Sequence, residues 1–402
     1  MAKTTAAGPL SFYVAIGSVF KNFSVDIDKA LLQLEGEITL PSRLQYAWPH
    51  PNLQILYAAC ADRTPGLASQ PFYLCALKRD AIGNLTFMGE PVSLPSRPIH
   101  LTVDHSGLFV LTAYSAEPGL TVHALLPDGQ IGAEVPPADG FEAGPNPHEI
   151  LVMPGNTRAI LMARGKKGAT PAASKPGELN FIGFNKGRVE NQNSIRLDEK
   201  HSPGGFNPRN MEFHPSNSLV YLTLEIQNKL AVFSRADDDL ELYPRFLVDT
   251  LIEPDNVRPK QDCGAVRLHP SGRFAYVANR NDGYVGDQKG RPSWISPNPP
   301  PIFPGGENNI AVYKIESNGA PSLIQHIDSH GLHPRTFAID PSGSLLIAGN
   351  LAPTVQKQGE HLIKIPANLA LFRIGADGRL TFLRRHDLDV GEEMVWWTGM
   401  IT

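Results

Sequence analysis

The chain has 402 residues, 42% hydrophobic and 19% charged, a globular composition with enough apolar material for a large core. A formal net charge of −4 argues against a nucleic-acid or anionic-membrane partner, and no run approaches the ~18 apolar residues of a spanning helix. Three cysteines cannot build a disulfide framework, so a soluble, reduced, cytoplasmic setting is expected.

The first apolar stretch, Leu10 to Phe20, is broken by Ser11, Gly17 and Ser18 and lacks the continuous centre of a signal peptide. Phe12–Gly17, Phe23–Ile27 and Leu31–Glu35 read as three short strands. A repeat follows, with units starting near 40, 94, 145, 206, 262 and 332. Its clearest copies are LPSRPIHLTVDHSGLFVLTAY, FNPRNMEFHPSNSLVYLTL, DCGAVRLHPSGRFAYVAN and LHPRTFAIDPSGSLLIAGN. Each has two apolar, β-branched or aromatic runs joined by a His/Asp-Pro-x-Gly-like turn, in which proline presets one φ and glycine or asparagine accepts the left-handed one.

A third run follows each pair (Leu120–Leu125, Lys229–Ser234, Asn309–Ile315, Leu369–Ile374), and a fourth follows a turn such as Asp377-Gly378. Four antiparallel strands per unit, repeated, describe propeller blades. The terminal strands supply a seventh blade, with its first strand at Met394–Ile401 in MVWWTGMI. Pairing the N- and C-terminal strands in one blade closes the ring and leaves no open edge. The expectation is an all-β, seven-bladed β-propeller, one domain over 1–402. Such a ring needs no partner to cover its edges.

Insertions interrupt the repeat at about 165–178, 281–308 and 351–367, each after a second strand and therefore on one face of the disc. They read equally as solvated loops or as walls of a ligand site. The phosphate, dinucleotide, nucleophile-elbow and zinc signatures are missing, and His330 and His333 form H-x-x-H only in a loop. No metal and no cofactor is expected. His214 and His269 read as turn caps in place of aspartate.

First-strand starts and second-strand ends converge on one mouth of the ring. The first-strand starts supply His100, His148, Arg209 and Arg335, and the second-strand ends supply Glu225, Arg280 and Asn350. A cationic group with one carboxylate and one imidazole suits an anionic substrate, held by arginine forks, with His148 or Glu225 moving a proton. Alternatively Glu225 pairs with Arg209 or Arg280 to hold two blades together, and His148 is a satisfied inner-strand histidine.

NPRNMEFHP with YLTLEIQNKLAVF, GAVRLHPSGRFAYVANR, HPRTFAIDPSG and the closing MVWWTGM resemble the lactonase family of seven-bladed β-propellers over about residues 12–402. That family includes propeller-type 6-phosphogluconolactonases and 3-carboxy-cis,cis-muconate cycloisomerases, neither thought to need a metal. The resemblance implies His148 (NPHEI), Arg209 (NPRN), Glu225 (LTLEIQNKL) and Arg280 (YVANR) as catalytic, with His100, Arg335 and Asn350 left as substrate-binding candidates. Cys263-Gly264 departs from the Pro-Arg opening of other blades.

Hydrolysis of an acidic sugar lactone is the first functional expectation, with Glu225 or His148 activating water. Lactone-forming cycloisomerisation of a muconate is the second, and uses the same residues on a polycarboxylate. A propeller that binds a ligand or protein without turning it over is the third.

Overall fold

The structure is a computed structural model that describes residues 10–62, 71–166, 174–216, 218–285 and 300–401. Residues 167–173 of the first insertion, Lys167 included, and 286–299 of the second lie outside the described residues. The described residues form antiparallel strands and no helix, so none is long and apolar enough to cross a membrane.

Seven blades close a ring. The first has inner, second and third strands at Leu44–Pro49, Ile55–Cys60 and Phe72–Arg79, with an outer strand split between Leu85–Phe87 and Val92–Leu94. The second runs Pro98–Val103, Phe109–Tyr114, Leu120–Leu125 and Ile131–Glu134, and the third Pro147–Val152, Arg158–Ala163, Glu178–Asn185 and Arg188–Ile195. The fourth starts Pro208–Phe213, Leu219–Leu224, Lys229–Ala236, and its outer strand is again split. The fifth is Gln261–Leu268, Phe274–Asn281, Asn309–Ile315 and Pro321–Asp328, and the sixth Leu332–Ile339, Leu345–Ala352, Asn368–Ile374 and Leu380–Asp387.

The seventh blade has Val395–Ile401 innermost, followed by Ser11–Ile16, Val19–Asp26 and Leu31–Thr39. Ser11 pairs with Ile401 and Ala15 with Trp397, so the two ends of the chain share one sheet. The third strand of this blade begins four residues earlier than the sequence suggests, at Val19, because Gly17 with φ 57° makes the preceding turn very tight.

Second strands are buried on both faces: Ile55–Cys60 and Leu219–Leu224 are buried at every residue. The apolar clusters lie between neighbouring blades, such as Ile160, Met162 and Phe181 with Val220, Leu222 and Phe233. Hydrogen bonds repeat the same ties. Tyr57, Tyr221 and Tyr276 donate to the carbonyls of Gly129, Gly319 and Gly378, each in the next blade.

His214 and His269 do cap their turns, accepting at Nδ1 from the amides of Ser216 and Ser271. Their Nε2 atoms also reach the Gly272 and Gly343 carbonyls of the following blade. The imidazole is longer than an aspartate, so one side chain closes a turn and ties two blades.

All three insertions leave from second-strand ends, on one face. The third forms a hairpin, Thr354–Gln358 with His361–Ile365. It joins the second insertion through a parallel bridge, Ile302 to Val355, and a Phe303 amide bond to the Val355 carbonyl at 2.8 Å.

Candidate active site

Inner strands carry a recurring irregularity that builds the mouth. Pairing with the second strand slips by one residue just after the strand opens: between Leu44 and Tyr46, Pro147 and Glu149, Pro208 and Asn210, and Pro334 and Thr336. The second blade slips between Pro98 and His100, and the seventh between Val395 and Trp397. The extra residue of such a bulge has no cross-strand partner and its side chain is re-aimed. The bulge residues are Gln45, Ile99, His148, Arg209, Arg335 and Trp396, and all but Gln45 line one cavity of about 230 Å³ at the ring's mouth.

Second-strand ends complete it: Ser115, Arg164 and Glu225 lie just beyond the last residue paired with the inner strand, while Arg280 and Leu351 lie within the paired stretch. Arg97, Asn146, Asp282 and His333 join them. Five arginines therefore face two carboxylates.

Glu225 is the hub. Its Oε1 accepts from Arg209 Nε at 2.8 Å and from Arg280 Nη2, and its Oε2 accepts from Arg164 Nη1 at 2.8 Å. Glu225, Arg209 and Arg280 are all buried. Burial alone pushes the Glu225 carboxyl up, but Arg209, Arg280 and Arg164 outweigh it and hold the group at about 2. The carboxylate is ionised and both its oxygens are occupied.

His148 is half-buried, and its Nδ1 is enclosed without a hydrogen-bond partner. Burial, followed by the charges of Arg209 and Arg164, holds its pKa well below 6.5, so the imidazole is neutral at pH 7. His333 is neutral for the same reasons: burial, then the charges of Arg280 and Arg335, hold its pKa well below 6.5. Asp262, opposite Arg280 in the fifth blade, is pushed up to about 6 by burial and then by the charge of Glu225.

The structure thus brings His148, Arg209, Glu225, Arg280 and Arg335 together. It places His100 and Asn350 elsewhere. His100 is buried deeper in the channel, its Nε2 3.4 Å from Glu149 Oε1 and its ring 3.9 Å from that of Tyr46. Asn350 is buried and donates to the Ser329 carbonyl at 2.7 Å and to Asn368 Oδ1 at 2.9 Å, a scaffold role. Each lies one residue from the mouth position of its blade, which Ile99 and Leu351 occupy, and a one-residue shift in a strand reverses the direction of a side chain.

Arg97 and Arg164 are not singled out by the sequence, and His333 is singled out there only as half of the H-x-x-H pair. Arg164 could have been found, since ILMAR in the third blade parallels YVANR in the fifth. His330 faces away, stacked on Phe382 at 3.6 Å, and the described residues contain no cluster of three or more His, Cys, Asp or Glu able to hold a metal.

The Cys263-Gly264 departure has a steric reason. A Cβ on Gly264 would sit 3.2 Å from Arg280 Cδ and 3.3 Å from its Nε. Arg280 fills the space that a bulge side chain takes in other blades. Gly264→Ala should displace Arg280 by a few tenths of an ångström and lower kcat/KM by about threefold to tenfold, judged against the about 100-fold cost of a 1 Å misplacement. Steady-state kinetics with an unfolding curve on the same protein checks this.

A larger cavity, about 470 Å³, opens at the opposite end of the channel among Trp48, Phe213, Phe337 and Trp397, with the Arg267–Glu212 pair at 3.3 Å. Its walls are mainly apolar and it gathers no comparable set of converging donors. The converging charged groups lie at the smaller, cationic mouth.

The sequence model of the family described as "Lactonase, 7-bladed beta-propeller" matches residues 15–166 and 184–353. The chain is 25% identical over 376 residues to a 6-phosphogluconolactonase of Bacillus subtilis, covering 90% of this chain and 89% of that one. It is 22% identical to a 6-phosphogluconolactonase of Pectobacterium carotovorum, over 79% of this chain and 80% of that one. Among solved structures, a Lactobacillus plantarum protein superposes with TM-score 0.72 at 18% identity, covering 98% of this chain and 100% of that one. A periplasmic gluconolactonase of Pseudomonas aeruginosa superposes with TM-score 0.70 at 15% identity, covering 98% and 99%.

Proposed function

The chain belongs to the lactonase family of seven-bladed β-propellers, and from that premise we propose that it is a lactonase opening the ring of an acidic sugar lactone of the 6-phosphogluconolactone type. The observation that carries the reading is a neutral imidazole beside arginines that share a single carboxylate.

In this reading His148 is the general base. Glu225, held at about 2 and bound through both oxygens, is too weak a base to activate water, so it acts as the positioning residue that aims Arg209 and Arg280. Water attacks the lactone carbonyl as His148 takes its proton. Arg209 and Arg280 stabilise the oxyanion of the tetrahedral intermediate. The C–O ring bond then breaks, the carbonyl re-forms as a carboxylic acid, and the ring oxygen leaves with a proton returned by the imidazolium. The acid ionises and releases one proton to solution. A bound anionic substrate offsets the arginine charges around His148 and restores part of its basicity.

Three buried, unpaired thiols, Cys60, Cys75 and Cys263, support a reducing intracellular setting. The decisive experiment is a pH-stat record with 6-phosphogluconolactone and, in a separate run, 3-carboxy-cis,cis-muconate. Acid release above the spontaneous rate with the first is expected. Proton uptake with the second and silence with the first would replace hydrolysis by cyclisation.

A further inference from the structure

Arg43 and Arg97 occupy the same position in neighbouring blades, each just before the residue that opens the inner strand. Their surroundings differ. Arg43 is closed by two carboxylates: its Nε and Nη2 each donate to Glu393 at 2.7 Å and its Nη1 to Asp62 at 3.1 Å. Arg97 has no carboxylate among the described residues. Its Nη2 donates to the amide oxygen of Gln45 at 2.5 Å, and its Nε is buried with no acceptor.

Arg97 lines the mouth beside Arg164, whose Nε is likewise buried without an acceptor. Burial and then the charge of Arg164 lower the Arg97 pKa to about 10. The protein thus sets two cations side by side, half-enclosed, and supplies no anion of its own to Arg97. Ser115, at the end of the same blade's second strand, adds a hydroxyl to this wall. Arg209 and Arg280 lie on the fourth and fifth blades, and His148 stands between the two groups on the third.

We propose that Arg97, with Arg164 and Ser115, forms the subsite for a phosphomonoester carried at the end of the lactone remote from its carbonyl. The proposal rests on the lactonase reading and gives the substrate a direction across the mouth. Planar guanidinium forks bind the oxygens of a phosphoryl group two at a time, and a dianion suits five arginines facing two carboxylates better than a neutral sugar does. The contrast with Arg43 carries the argument: where the fold needs an arginine only for structure, it surrounds it with acids.

Calorimetric binding to the intact chain tests this without turnover, using the ring-opened acids 6-phosphogluconate and gluconate. The wild type should prefer the phosphorylated acid by at least about tenfold, and Arg97→Gln should reduce that preference by about tenfold to a hundredfold. Arg97→Lys, which keeps the charge and loses the fork, should fall between. A thermal unfolding curve of each variant confirms the fold.

A wild type that binds neither acid or does not discriminate, or an Arg97→Gln protein in which both affinities fall by one factor, overturns the proposal. Absence of acid release in the pH-stat would instead overturn the lactonase reading, so the two failures are distinguishable.

Discussion

Glu225→Ala should abolish turnover and cost about 3–5 kcal/mol of stability, the usual penalty for removing one partner from a buried ion cluster. Arg209 and Arg280 are buried, and without the carboxylate they face each other and Arg164 uncompensated. Urea unfolding of the two proteins measures the loss. Combining Glu225→Ala with Arg280→Met should recover part of the stability and none of the turnover, because one of the repelling charges is gone while the oxyanion donor is gone too. A Glu225→Ala protein as stable as the wild type would show that the arginines do not depend on this residue.

The pH dependence has a definite sign. The Glu225 pKa drops from 4.5 to about 2 on folding, so its stabilisation is complete above 4.5 and is lost as pH falls toward 2. His148 acts in the same direction: it stays neutral in the fold below its ordinary 6.5, whereas the unfolded chain takes up the proton. Both contributions decline on the acid side, while Asp262, raised from 3.8 to about 6 on folding, works against them between those two values.

His148→Ala should lower kcat by about 10²- to 10⁴-fold, the contribution of a positioned general base, with little change in the unfolding curve. In the wild type, the acid limb of kcat/KM that belongs to His148 should lie well below pH 6.5, since kcat/KM reports the free enzyme, in which burial and the neighbouring arginines lower that pKa. The acid limb of kcat should lie at higher pH, because bound substrate offsets the charge of the neighbouring arginines. Equal limbs for the two parameters would remove His148 from the base role. An unchanged rate in His148→Ala would do the same.

Turn chemistry and apolar pairs made the blades legible in the sequence. The strands of the closing blade were legible because an unpartnered run at one end of the chain matched a missing run at the other. What the sequence hid was the bulge. In a regular strand the rim residue alternates predictably, but here each inner strand gains one residue just where the side chains begin to matter.

Arg209 and His148 follow a proline and could be located by it. In IHLTV the conspicuous histidine drew attention one position past Ile99, and in LIAGNL the polar asparagine did so one short of Leu351. Arg97 stayed hidden because its significance lies in the absence of an acid around it. Only the three-dimensional comparison with Arg43 reveals that absence. Cys263-Gly264 looked like a defect in the pattern, yet the missing side chain is what lets Arg280 reach Glu225.

The ring's closure has a consequence for the order of events during synthesis. The innermost strand of the seventh blade, Val395–Ile401, is made after all the other blades, while its partner Ser11–Ile16 emerges first and must wait. Until then the nascent chain carries an open sheet edge on Ser11–Ile16, a sequence that is buried at every residue once folded. The same late strand brings Trp396, whose ring lies 3.6 Å from the Arg335 guanidinium in the mouth. Chains lacking this segment would thus expose a buried sheet edge and have an unfinished mouth.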